Sequence, residues 1–277
     1  MSDTLPRRVL LTGSTGNLGH KATVALGATV GIELTRIGRN GGNDPGVITA
    51  NLEVFDDSWA KHFDGIDTVI HLAADPRAAG DWDTVTPLNV DLTLNVMRAA
   101  RQGGVKRFVF ASSNWVLGGY RFRCEELTAG VPPRPINPYG TSKLFVERYG
   151  RMVSEETGMA FLSLRIGYCQ PGENRPGSHM AFGIWGQQMW LGNEDWAQAV
   201  VKSATADFEG FHAINVVSRN AGMRWNLEEA LQAIGYAPVE RHQPRLTLAG
   251  RLKDNAARLR EKLMPSGSAV PAFGKRW

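Results

Sequence analysis

Over the first 170 positions apolar residues come in short runs, each followed by a longer stretch with helical spacing. Residues 9–11, 32–37, 47–49, 68–72, 107–111 and 161–166 read as strands, several of them apolar almost throughout, as strands covered on both faces are. Residues 17–28 read as a helix. Residues 87–101 place Leu88, Asp91, Leu92, Asn95, Val96 and Ala99 at helical intervals. A further helix spans 138–157, with Pro138 in its first turn and Gly158 at its end. Strands alternating with helices predict an α/β fold, a doubly wound parallel sheet of the Rossmann kind. After Gly167 the pattern changes. Residues 171–177 read as a loop, and Trp185, Trp190 and Trp196 follow in an irregular region. A helix at 195–204, a strand at 211–217 and a helix at 227–234 come later.

Composition narrows the class. The chain has 277 residues, 43% hydrophobic and 21% charged, which excludes disorder as its main state. No run approaches the roughly 20 apolar residues of a membrane helix, and the first eight residues lack the apolar core of a secretory signal. Two cysteines, Cys124 and Cys169, are too few for a disulfide framework. The expectation is a soluble, cytoplasmic protein. The net charge of +4 is spread along the chain rather than gathered in a stripe, which argues against nucleic acid and suits small anionic ligands. The six histidines show no metal-ligand spacing, so no metal is expected.

The first chemical motif is Thr12-Gly13-Ser14-Thr15-Gly16-Asn17-Leu18-Gly19, which joins the first strand to the first helix. Three glycines spaced by three allow a tight turn, close approach of backbone to a pyrophosphate, and close helix–strand packing. The helix N-terminus adds unpaired N–H groups and a positive dipole. Dinucleotide binding follows, with residues 1–167 mainly the cofactor domain. Residues 168–277 are mainly a small substrate lobe interleaved with the sheet, and the tail 265–277 reads as a disordered linker. At the end of the second strand stands Arg36-Ile37-Gly38-Arg39, where an NAD site usually has an acid. Arg39, supported by Arg36, reads as a clamp for a 2′-phosphate, so NADP is favoured over NAD.

The second motif is Tyr139-Gly140-Thr141-Ser142-Lys143, with Tyr139 and Lys143 one helical turn apart. A phenol is a poor base at neutral pH; an ammonium beside it favours the phenolate, which can exchange a proton with a substrate hydroxyl. Ser113 ends the fifth strand, on the crevice side of a parallel sheet, where its hydroxyl can hold the same substrate oxygen. Arg77 and Arg175 lie in loops expected at the crevice and read as contacts for an anionic substrate group. Trp115 and Trp185 read either as faces for a sugar ring or as core of the lobe.

These pieces together resemble the extended short-chain dehydrogenases/reductases, the NAD-dependent epimerase/dehydratase group. The similarity includes His71-Leu72-Ala73-Ala74, Asn89, Ser112-Ser113 and Leu164-Arg165-Ile166-Gly167, all in family order from about residue 8 to 200. Within the group the uronate dehydrogenases are most similar, through Phe110-Ala111-Ser112-Ser113-Asn114, residues 131–135 and Arg165-Ile166-Gly167-Tyr168-Cys169. The resemblance implies Ser113, Tyr139 and Lys143 as the catalytic triad and Lys143 as a holder of the nicotinamide ribose. It implies cofactor contacts from Asn51, Leu52, Leu72, Ala73, Ala74, Asn89 and Ile166, and a substrate contact from Asn114. The expected reaction is hydride transfer from a sugar-like carbinol, at the anomeric carbon of a uronate or aldose, to NAD(P). The rivals are a nucleotide-sugar epimerase or dehydratase and a non-catalytic dinucleotide sensor. A homo-oligomer is expected, as a dimer through the helix holding Tyr139 and its neighbour.

Overall fold

The structure, a computed structural model, describes residues 5–41 and 44–263; the tail at 265–277 lies outside the described residues. The strands are β1 (Arg7–Thr12), β2 (Ile32–Gly38), β3 (Val47–Thr49), β4 (Thr68–His71), β5 (Arg107–Ser113), β6 (Ala160–Ile166) and β7 (Phe211–Val216). The helices are α1 (Asn17–Gly27), α2 (Asp57–Ala60), α3 (Trp82–Val85), α4 (Leu92–Gln102), α5 (Pro138–Thr157), α6 (Gly183–Gln188), α7 (Asn193–Thr205), α8 (Glu228–Ile234) and α9 (Leu248–Leu263). All seven strands pair in parallel, in the order β3-β2-β1-β4-β5-β6-β7. From β1 the chain winds outward to β3, then returns to β4 and winds the other way. The switch point, where a doubly wound sheet opens a crevice at its carboxyl edge, therefore lies between β1 and β4.

Period-2 alternation sends successive strand residues into two different cores. Val9, Leu11, Val109, Leu162 and Leu164 face a layer with Ala22 and Leu26 of α1, Trp196 and Val200 of α7, and Ile234 of α8. Leu10, Val69, Phe108, Phe110 and Phe161 face the opposite layer, with Trp59, Val96, Met97, Val146 and Val153. Burial on both sides explains the continuous apolar runs. The lobe of the second half has its own small core of Leu117, Tyr120, Leu127, Trp185, Met189, Val217 and Trp225. No helix among the described residues is long and apolar enough to cross a membrane.

Candidate active site

The loop after β1 is shaped by what surrounds it. Gly13 has φ +69°, and a Cβ there would lie 2.6 Å from the Ala73 nitrogen. A Cβ on Gly19 would lie 2.0 Å from the Gly13 carbonyl oxygen. Only glycines let the loop, the first turn of α1 and the segment after β4 come this close. Gly16 caps α1 without a side-chain acceptor, and the first turn holds no acid, so the N–H groups of Asn17, Leu18 and Gly19 meet an anion without a competing carboxylate. These residues fit a pyrophosphate. The Asn17 side chain is turned to donate to the Cys169 carbonyl at 2.9 Å, Thr15 packs beside Gly38, and Leu18 packs on the core beneath α1.

Beyond β2, Arg36 forms a double hydrogen bond to Asp44 at 2.6 and 3.1 Å. It is thereby held in the loop that follows β2. Arg39 pairs with Glu53 at 2.6 Å, with its side chain more than half exposed. Asn51 accepts from the Glu53 N–H at 3.1 Å, and Asn95 of α4 donates to the carbonyls of Leu52 and Glu53. That turn is thus fixed next to Arg39.

A buried chain of hydrogen bonds ties the switch point together. Thr93 donates its one proton to the Asn89 carbonyl at 2.7 Å, so toward His71 Nε2, 3.0 Å away, it accepts. His71 therefore carries its proton on Nε2, and Nδ1 accepts from Thr12 at 2.7 Å. Burial, and secondarily the charge of Lys143, push the His71 pKa down to about 3. It joins the ends of β1 and β4 as a neutral ring. A π-helical turn, Thr86–Asp91, aims the fully buried Asn89 back at the loop. There its amide exchanges two hydrogen bonds with the backbone of Asp75. Leu72 and Ala73 are held by the backbone and hydroxyl of Thr12, and Ala74 leads on to Asp75.

Ser113 ends β5 opposite Ile166 of β6. Helix α5 starts at the Asn137 cap, which accepts from Gly140 at 2.7 Å. A Cβ on Gly140 would lie 2.5 Å from the Trp115 carbonyl; its absence lets α5 settle on the helical turn Asn114–Tyr120. Tyr139 then reaches the Ser113 hydroxyl, with Lys143 one turn further along α5. The Lys143 ammonium lies 5.6 Å from the Tyr139 ring centre and 4.9 Å from that of Phe110. Burial pushes the Tyr139 phenol up to about 12, with the Ser113 hydrogen bond acting the other way. Burial pushes the Lys143 ammonium down to about 7, against the pull of Asp75. Desolvation is the largest cause on both groups, and the phenolate-favouring effect of Lys143 that the motif predicts is not among the causes acting on Tyr139. Beneath the pair, Glu147 accepts from Ser112, Ser163 and Arg165.

The structure also sorts the outlying residues. Arg77 is engaged with Asp75, three contacts of 2.6–3.0 Å, and Asp75 is close enough to act on both Tyr139 and Lys143. Arg175 pairs with Glu173 at 2.6 Å on the surface. Trp185 is core, its ring 4.6 Å from Trp225, and Trp115 is buried against Tyr139. Asn114 has both amide atoms buried with no hydrogen-bond partner. The sequence reading missed Asp75, although an acid two residues before an arginine after a central strand was visible.

A model described as the NAD dependent epimerase/dehydratase family matches residues 9–174. The chain is similar to an L-arabinose 1-dehydrogenase (NAD(P)(+)) of Haloferax volcanii, 32% identical over 246 residues, covering 83% of this chain and 96% of that protein. It is also similar to a uronate dehydrogenase of Pseudomonas putida, 29% identical over 248 residues, covering 87% of each. Its fold matches the crystal structure of uronate dehydrogenase from Agrobacterium tumefaciens with a TM-score of 0.71 and 24% identity, over 96% of this chain and 92% of that one. With the glycine loop, the switch point and the Ser113–Tyr139–Lys143 grouping already in place, these matches show that the chain belongs to the NAD-dependent epimerase/dehydratase family.

Proposed function

We propose that the protein is an NAD(P)-dependent dehydrogenase that oxidises the anomeric carbinol of an aldose. The observation that carries this reading is Asn114. A buried amide with neither polar atom paired costs about 1–3 kcal/mol per group, and Asn114 follows Ser113 directly in the chain, at the carboxyl end of β5. A substrate hydroxyl, which both donates and accepts, completes it. Ser113 holds the reacting oxygen and Tyr139 takes its proton, with the Lys143 ammonium stabilising the phenolate against the burial that holds the phenol up. When bound, the nicotinamide accepts the hydride. Gly13, Thr15, Gly16, Asn17, Leu18 and Gly19 hold the pyrophosphate; Asn51, Leu52, Leu72, Ala73, Ala74, Asn89 and Ile166 line the rest of the cofactor path. Lys143 holds the nicotinamide ribose. Arg39 gives NADP its advantage by leaving Glu53 for the 2′-phosphate. Arg77 and Arg175 are each engaged by a neighbouring carboxylate, so an anionic sugar would have to draw one of them away, as the 2′-phosphate draws Arg39. The likeness to an L-arabinose dehydrogenase, 32% identical against 29% for the uronate dehydrogenase, supports the aldose.

A second copy of the chain fits the outer face of α5. Phe145 and Met152 are exposed there, and Phe145 stacks on Tyr149 with ring centres 6.4 Å apart; sedimentation of the purified protein checks this.

The test is absorbance of reduced nicotinamide when the protein meets NAD or NADP with a panel of aldoses and uronates. Net reduction with an aldose is expected, and Tyr139→Phe should lose about 10²–10⁴-fold in kcat with cofactor affinity kept. Cofactor binding without net reduction on any sugar would point instead to an epimerase or a sensor.

A further inference from the structure

Helix α9 turns its leucines away from the protein. Leu248, Leu252, Leu259 and Leu263 are between 58% and 79% exposed. At about 3.6 residues per turn they fall within one arc of about 60°, so they form a stripe. The opposite side holds the helix to the lobe. Asp254 is buried there, 3.9 Å from Arg121 and 3.1 Å from Arg258, and its carboxylate lies 2.8 Å from where a Gly183 Cβ would stand. Thr247 caps the first turn, accepting from the Gly250 N–H at 3.1 Å. The helix is thus tied down by its polar side while four leucines stand in water, which costs free energy unless something covers them.

The charge around the stripe identifies the cover. Residues 241–277 hold nine basic residues and two acids, a net of +7, whereas residues 1–240 hold 22 basic and 25 acidic residues, a net of −3. The excess expected to be spread along the chain is therefore gathered at its end, an asymmetry that points to a polyanion or a membrane. On α9, Arg251 and Arg258 flank one edge of the leucine stripe and Lys253 and Arg260 the other, each about a right angle from its centre. All four are exposed, and among the described side chains of α9 no acid stands on either flank. A second copy does not fit this face: with leucines against leucines, cations of both helices would meet and find no acid. A nucleic acid would take the cations and leave the leucines in water. We infer that α9 docks on an anionic lipid surface, its leucines entering the boundary between headgroups and acyl chains while the flanking cations pair with the headgroups. The helix lies in the plane of the membrane and does not span it.

Flotation of the full chain with vesicles tests this, using phosphatidylcholine alone and an equal mixture of phosphatidylcholine and phosphatidylserine. Binding to the mixed vesicles, little to the neutral ones, and release as salt rises are expected. Each cation near such a surface contributes about fivefold in partition, so Arg251→Gln, Lys253→Gln and Arg260→Gln together should lower it about 10²-fold. Leu252→Ser with Leu259→Ser should lower it as far, at about tenfold per leucine. All five positions are exposed, so Tm should stay at the wild-type value, which separates loss of docking from loss of fold. Should one variant set melt low, the other still decides. Equal binding to both kinds of vesicle overturns the inference, because the cations would then play no part. Binding to mixed vesicles that survives the leucine substitutions overturns it in favour of a site for polyanions, which a nucleic acid would fill. Failure of the intact chain to bind also overturns it, whether the last residues of the chain or a second copy then covers the leucines.

Discussion

The Glu147–Arg165 pair offers the sharpest test of how helix α5 is held. Both side chains are buried, at 4% and 3% exposure, with the closest contact 2.9 Å. Ser112 and Ser163 add hydroxyl donors at 2.6 and 3.0 Å. Replacing Arg165 by Met leaves a carboxylate out of water with only these two donors. Breaking one side of a buried pair costs about 3–5 kcal/mol, which at roughly 2–4 °C per kcal/mol lowers Tm by roughly 6–20 °C. Glu147→Met strands the guanidinium and should cost as much. The double variant removes both charges, so its loss should fall short of the sum of the singles by at least about 2 kcal/mol, the coupling expected of contacting residues. Urea unfolding at pH 7 measures all four corners. Additivity within about 0.5 kcal/mol would refute the reasoning, because it would mean neither charge depends on the other. Ser112 precedes Ser113 and Glu147 follows Lys143 by one turn, so Arg165→Met should also lower kcat with cofactor Kd kept.

Lys143→Met should abolish turnover yet stabilise the fold in a pH-dependent way. The folded pKa is down at about 7 from 10.5, so between these values the unfolded chain binds the extra proton and wild-type stability climbs as pH rises. The Tm advantage of the variant is therefore largest below pH 7 and gone above about 10.5, and a constant advantage across that window would contradict the burial. Arg39→Ala should weaken NADP roughly tenfold while leaving NAD unchanged, as loss of a charge-assisted contact predicts; equal changes in both Kd values, read by titration, would remove Arg39 from the phosphate site.

How far the sequence could be read depended on which forces were local. The strands were legible because both of their faces are buried, as at Val9, Leu10 and Leu11. Helix α5 was legible to the residue because Pro138 and Gly158 punctuate it. The stretch read as one helix over 87–101 instead begins with a π-helical turn, since the side-chain pattern does not register the extra residue that aims Asn89 inward. Helix α9 escaped because its leucines, Leu248, Leu252, Leu259 and Leu263, are exposed rather than core, so there was no buried stripe to find. At the site, Ser113, Tyr139, Lys143 and the glycines were legible from spacing. The partners of Arg36, Arg77 and Arg175 were not, because an ion pair between a guanidinium and a nearby carboxylate depends on how the loop turns. The left-handed backbone at Phe182 was hidden for a further reason: it is a property of φ, and nothing in the residue type announces it.

The sheet order carries a consequence for biosynthesis. Strand β6 ends at Ile166, and the strand that covers its outer edge, β7, is complete only at Val216. A ribosome adding about 5–20 residues per second takes several seconds over that interval. Throughout it β6, buried along its whole length in the finished protein, is an apolar edge with unpaired N–H and C=O groups, the kind of surface that recruits other strands. The nascent chain is thus most exposed to misassembly after the glycine loop and helix α5 have been made and before β7 arrives.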